Sequence, residues 1–184
     1  PDEPAPYCHV GGILQSRKVR LAAVADLSPA AQAAFRGKWG ACFPDVQYHA
    51  SLEALLAAGP PEIVAICVRG PHHFEALQRV IAARPRAIFL EKPPTCSLQE
   101  MDQVVAAARP AGIPITVSYS RHWAPHVLRA AHLVRAGRIG QVQTVVGYSS
   151  GTFLSFCGHL TDLICQFAGY APLVTNLLPL FHEF

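Results

Sequence analysis

The stretch FLEKPPT, Phe89 to Thr95, places an acidic residue, a lysine and two prolines directly after an apolar run. A lysine there either closes a strand as a solvated turn or presents a proton-carrying ammonium group to a cleft. The residues around Lys92 leave both readings open. Pro93 fixes its own φ and biases Lys92 away from helical conformation, so the turn is stiff. Asp26 closes another apolar run, where an open α/β sheet places its ligands. An acidic residue in that place can bind the diol of an adenosine ribose, and its charge disfavours a 2'-phosphate. Alternatively, Asp26 and Ser28 only start the next helix, as Asp-x-Ser-Pro commonly does. Two further pairs have helical spacing, His122 with His126 at i, i+4 and His159 with Asp162 at i, i+3. Neither comes with a third and fourth ligand at convincing spacing, so no metal is expected. No G-x-G-x-x-G occurs anywhere in the chain, and the adjacent Gly11 and Gly12 read as a turn.

These groups need a scaffold, and the composition supports one. Of the 184 residues 51% are hydrophobic and 15% charged, which suits a globular chain with one full core or one domain and part of another. A net charge of +3 is spread as single residues, with only Ser16 to Arg20 locally basic, so nucleic acid is not an expected partner. Apolar runs are broken well short of the ~20 residues a membrane-spanning helix needs. Six cysteines, with no C-x-x-C pair, read as scattered reduced thiols. The start, PDEPAPY, has no apolar signal core, and a cytoplasmic protein is expected.

Four runs rich in Val, Ile and Ala read as strands buried on both faces of a parallel sheet: Val19 to Asp26, Glu62 to Val68, Arg86 to Glu91 and Pro114 to Tyr119. A short extra strand is expected at Val46 to His49. Helices alternate with them. Ser28 with Pro29, Ser51, and Ser97 with Glu100 three residues on are N-terminal signals, and a fourth helix ends against Pro85. This is the order of a doubly wound α/β domain. Beyond Tyr119 a helix is expected from Pro125 to Ala136. A half-exposed strand in GQVQTVVGYSS and an amphipathic helix over Gly158 to Gly169 follow.

The segments EKPPTCSLQEMDQVV, VSYSRHWAP and GHLTDLICQFAG, in this order and spacing, resemble the glucose-fructose oxidoreductase, inositol dehydrogenase and MocA family (Gfo/Idh/MocA). The resemblance runs over nearly the whole chain, and Glu-Lys-Pro after the fifth Rossmann strand is its specific mark. It implies a Rossmann-like doubly wound parallel sheet lacking its first strand and glycine loop over residues 1–119. The start of a second α/β domain, for substrate and oligomer contacts, would occupy 120–184. The chain then begins inside or just before the first helix and stops before the second sheet is complete. The implied activity is NAD(P)-dependent hydride transfer between a nicotinamide and a hydroxyl carbon of a sugar, cyclitol or similar polyol, in a homo-oligomer. The alternative is a non-catalytic or truncated member serving as a binding or assembly module.

The same resemblance implies roles by position. Lys92 matches the family lysine beside the nicotinamide, with Glu91 before it in the cofactor turn. The Lys92–Pro93 peptide, commonly cis in the family, would aim the lysine into the cleft. The turn after the fourth strand, usually Thr-Pro-Asn followed by a His, reads here as Val68, Arg69 and Gly70 with His73 at the histidine. Ser120 and Arg121 fall on the Asn-Arg segment that opens the second domain, with Arg121 near the cofactor. In the Asp-x-x-x-His pattern His159 is the acid/base partner of Lys92, while Ser155 stands at the aspartate position and offers no charge to an imidazolium. Asp162 is its structural partner or a pocket residue. Asp26 then binds the adenosine ribose, which favours NAD over NADP.

Overall fold

The computed structural model describes residues 8–149 and 157–170. Strands and helices alternate: α1 (His9–Gln15), β1 (Ala23–Ala25), α2 (Pro29–Trp39), β2 (Gln47–His49), α3 (Leu52–Ala57), β3 (Ile63–Ile66), α4 (His73–Ala82), β4 (Ala87–Leu90), α5 (Leu98–Ala108), β5 (Ile115–Val117), α6 (Pro125–Arg135) and α7 (Gly158–Ala168). Short 3-10 turns over Gly70–His72 and Ser120–Trp123 precede α4 and α6.

Local chemistry accounts for the helix starts. The hydroxyls of Ser28, Ser51 and Ser97 accept hydrogen bonds from the amides of Ala31, Ala54 and Glu100, and Pro29 occupies the first turn of α2. The Glu100 carboxylate reaches back to the Cys96 amide at 2.8 Å, one residue before the cap rather than at the cap itself. Gly11 and Gly12, expected as a turn, lie inside α1, where the Cys8 sulfur takes the Gly11 amide and the Gly12 amide bonds to the Cys8 carbonyl.

All strand pairs are parallel. The sheet forms in two parts, β1–β2 and β3–β4–β5, with Ile66 opposite Leu90 and Leu90 opposite Val117 at the ends that carry the polar turns. The Rossmann order 3-2-1-4-5-6 sets its first strand between these two parts, and that strand is missing from the described sheet. The core packs α4 and α5 on one face of the larger part: Val64, Ile66, Ile88 and Leu90 meet Leu77, Val80, Ile81, Val104 and Ala108.

Burial on both faces, expected from the continuous apolar runs, is not what forms. β3 alternates exposed and buried residues, and Ile63 is 48% exposed. Its second face meets no covering helix among the described residues; farther along the sheet, the His9 ring of α1 stands edge-on to Phe89, with ring centroids 4.8 Å apart. The expected strand within GQVQTVVGYSS also does not form over 140–149. A strand needs a ladder partner. This segment instead runs along α7, where a Cβ on Gly147 would stand 2.5 Å from Leu160 Cδ1. Among the described residues no helix is long and apolar enough to cross a membrane.

Candidate active site

Lys92 stands where β4 ends. Ile88 and Leu90 anchor the strand, each 1% exposed, and the Glu91 amide makes a last ladder bond of 2.9 Å to the Ile66 carbonyl. The Lys92–Pro93 peptide is cis. Glu91 turns its carboxylate back on the turn, with Oε2 accepting the Lys92 amide at 3.1 Å and Oε1 lying 2.7 Å from His9 Nε2. Burial works against the Glu91 carboxylate. Hydrogen bonds from His9, the Lys92 amide and Ser118, together with the charge of His9, outweigh it and hold the carboxyl below its ordinary range. Glu91 is therefore an anionic brace under the lysine turn.

His159 is the second residue of α7. Its ring meets the edge of Tyr119 at 5.5 Å, an approach that Gly158 allows, because a Cβ there would lie 3.0 Å from the Tyr119 ring. Desolvation comes first among the influences that lower the His159 pKa, followed by the positive charges of Arg121 and Lys92; Asp162 and Glu91 oppose them without prevailing. His159 is thus a neutral imidazole at neutral pH. Its Nδ1 is buried without a hydrogen-bond partner among the described residues. The fold brings Lys92, Glu91, Arg121, His159 and Asp162 into one electrostatic neighbourhood, although 70 residues of sequence lie between the first and the last.

Asp162 does not bond to His159. Its Oδ2 lies 2.9 Å from His122 Nδ1, with the Tyr170 hydroxyl 3.4 Å from the same nitrogen and the Gln166 amide directed at the His122 carbonyl. Sequence reasoning considered His122 only as a metal ligand with His126. Among the described residues no group of three or more His, Cys, Asp or Glu side chains could hold a metal ion. Ser155 lies outside the described residues. His9 and Tyr119 are members of this neighbourhood that sequence reasoning missed, as it missed the pairing of His122 with Asp162, and no local motif marks them.

The other named positions fall elsewhere. Asp26, exposed at the end of β1, uses Oδ1 to accept the Ser28 amide at 2.8 Å. Gln32 Nε2 ties the Asp26 and His49 carbonyls together at 2.7 and 2.9 Å, so the ends of β1 and β2 form one rim. Val68 is 47% exposed at the turn after β3, whereas His73 is fully buried beneath it and closed to any ligand.

The profile of a family described as an oxidoreductase family with an NAD-binding Rossmann fold, GFO_IDH_MocA, matches residues 7–119. The chain is 28% identical over 142 residues to the 1-carboxy-3-chloro-3,4-dihydroxycyclohexa-1,5-diene dehydrogenase of Comamonas testosteroni, covering 77% of this chain and 34% of that protein. It is 28% identical over 137 residues to the inositol 2-dehydrogenase of Rhizobium meliloti (strain 1021), covering 74% of this chain and 39% of that protein. The chain therefore spans little more than a third of the length of either relative. The crystal structure of apo scyllo-inositol dehydrogenase from Lactobacillus casei shares the fold, with a TM-score of 0.73 at 17% identity over 89% of this chain and 53% of that one.

Proposed function

Since this chain belongs to the Gfo/Idh/MocA oxidoreductases, with their NAD-binding Rossmann fold, we propose that it takes part in oxidising a hydroxyl carbon of a sugar, cyclitol or similar polyol, with Lys92 and His159 sharing the proton. What supports this reading is that burial, and then the charges of Arg121 and Lys92, push the His159 imidazole toward its neutral form. A neutral imidazole accepts the hydroxyl proton, and an ammonium beside it hydrogen-bonds the oxygen as negative charge builds there. The carbon becomes a carbonyl as its hydride departs, and the proton remains on the protein. The nicotinamide, when bound, supplies the hydride acceptor at C4.

The donor set suits a dinucleotide at its two ends. Asp26 keeps an exposed carboxylate beyond its bond to Ser28, a suitable acceptor for a ribose diol and a repellent neighbour for a 2'-phosphate, so NAD is the proposed cofactor. Val68 and Glu91 border the turns at the other end. No glycine loop lies within these 184 residues, so no contact to the pyrophosphate is assigned to them. Residues 120–184 are proposed as the opening of the substrate domain. Inositol 2-dehydrogenase among the relatives supports a cyclic polyol as the substrate class.

Fluorescence titration of the full chain with NADH and NADPH tests the reading: NADH is expected to bind more tightly, and no response to either at roughly millimolar concentration overturns it. In a turnover assay Lys92→Ala should lower kcat at least about a hundredfold while cofactor affinity stays within about tenfold. Undiminished turnover in that variant removes Lys92 from the mechanism.

A further inference from the structure

Among the described residues His73 is the largest fully buried polar side chain, with 0% exposure, and its ring has an unusual pair of neighbours. Nδ1 lies 2.6 Å from the Pro93 carbonyl oxygen, and Nε2 lies 2.8 Å from the Val68 carbonyl oxygen. A carbonyl oxygen only accepts, so each contact is a hydrogen bond only if the ring nitrogen donates. A neutral imidazole has a single N–H and would leave one lone pair pressed against an oxygen. We propose that His73 carries both ring protons and is the positioning residue of the Lys92 turn, strapping the turn after β3 to the turn after β4. The proposal rests on the reading of Lys92 given above.

The position of the strap gives it this role. Ladder bonding between β3 and β4 ends with the Glu91 amide on the Ile66 carbonyl. Beyond that point His73 links the two main chains through the Val68 and Pro93 carbonyls. The same turns also touch directly, because a Cβ on Gly70 would stand 3.4 Å from Pro93 Cγ. Pro93 follows Lys92 immediately, and its carbonyl belongs to the Pro93–Pro94 peptide, so the His73 bond holds the peptide plane one residue beyond the lysine. A buried cation at the start of α4 opposes the helix dipole. Two short charge-assisted bonds to carbonyl oxygens offset that cost, and a single bond from a neutral ring would leave the second carbonyl facing a lone pair.

NMR of the full chain labelled with 15N-histidine decides the protonation directly. At neutral pH both His73 ring nitrogens are expected to show protonated shifts and slowly exchanging N–H protons. A spectrum with one protonated and one bare nitrogen overturns the proposal. His73→Gln retains one bond at most. Amide exchange at Val68, Arg69, Gly70, Lys92 and Thr95 should then accelerate about tenfold or more with α5 unchanged, and kcat should fall about tenfold to a hundredfold with little change in nucleotide KM. Unchanged exchange at both turns in a folded His73→Gln chain also overturns it. A wild-type chain that shows both ring N–H protons but binds no nucleotide removes the proposed activity and leaves the strap standing.

Discussion

The two parts of the sheet are held by different forces. Around β3, β4 and β5 the chain builds a dry core in which Leu77 and Val80 are fully buried and Ile88, Leu90 and Val104 are at most 2% exposed. Around β1 and β2 little is sealed. Helix α2 buries none of its residues, and the contacts there are polar: Gln32 joins the two strand ends, Asp26 accepts the Ser28 amide in the turn after β1, and Arg36 of α2 stacks 4.2 Å over the Tyr48 ring. Lys92 and its Glu91 brace therefore sit on the rigid part, and the Asp26 rim sits on a part organised by polar contacts. A group that must meet a reacting bond needs precise placement. A rim that receives a ribose needs its hydrogen-bond acceptors free more than it needs a deep core.

This contrast is open to experiment, beginning with the largest expected effect. Leu77→Ala should cost about 4–5 kcal/mol, near the top of the range for buried leucines, and Leu55→Ala on α3 nearer about 2 kcal/mol. Both are read from the denaturant midpoint with an unchanged m-value. Equal losses would break the comparison. Next in size, Gln32→Ala should cost about 1–2 kcal/mol, since it removes two bonds to strand-end carbonyls. It should also weaken NADH binding without altering amide exchange in β3 to β5. A spread of that perturbation into β4 would show the two parts to be coupled.

The smallest effect concerns His159. Its pKa is lowered in the folded chain, chiefly by desolvation and then by Arg121 and Lys92, so the folded state takes up this proton less readily than the unfolded one. No stability difference arises where both states are neutral. As pH falls through the ordinary histidine range of about 6.5, the unfolded chain gains the proton first and stability declines. His159→Gln should flatten this acid arm in melting temperatures measured between about pH 7 and 5. A variant with an unaltered slope would show that folding does not lower the His159 pKa.

Much of the framework is written locally. Ser28, Ser51 and Ser97 cap helices that begin where a hydroxyl precedes an apolar face, and Gly137 and Gly169, both at positive φ, close α6 and α7. Strands β1, β3, β4 and β5 lie within the runs that their Val, Ile and Ala content marks, and β2 lies within the short extra strand expected at Val46 to His49. Coverage of β3 on only one face was not legible. A continuous apolar run says that both faces favour burial, and whether a helix arrives to cover each face depends on the rest of the chain. The segment 140–149 shows the same limit, since its apolar residues satisfy a strand pattern and are used against α7 instead.

The site divides along the same line. By itself the sequence determined that Lys92 follows a buried strand, that Pro93 stiffens its turn, and that Asp26 and His159 sit at the end and start of regular elements, because those properties depend on neighbours a few residues away. Only the tertiary structure decided that Glu91 is braced by His9, that Asp162 belongs to His122, and that His73 lies sealed between two carbonyls instead of facing a ligand. His9 and Glu91 are 82 positions apart, and His122 and Asp162 are 40 apart. Hydrogen bonds and charges act over a few ångströms of space, and that distance is set by packing and not by position along the chain.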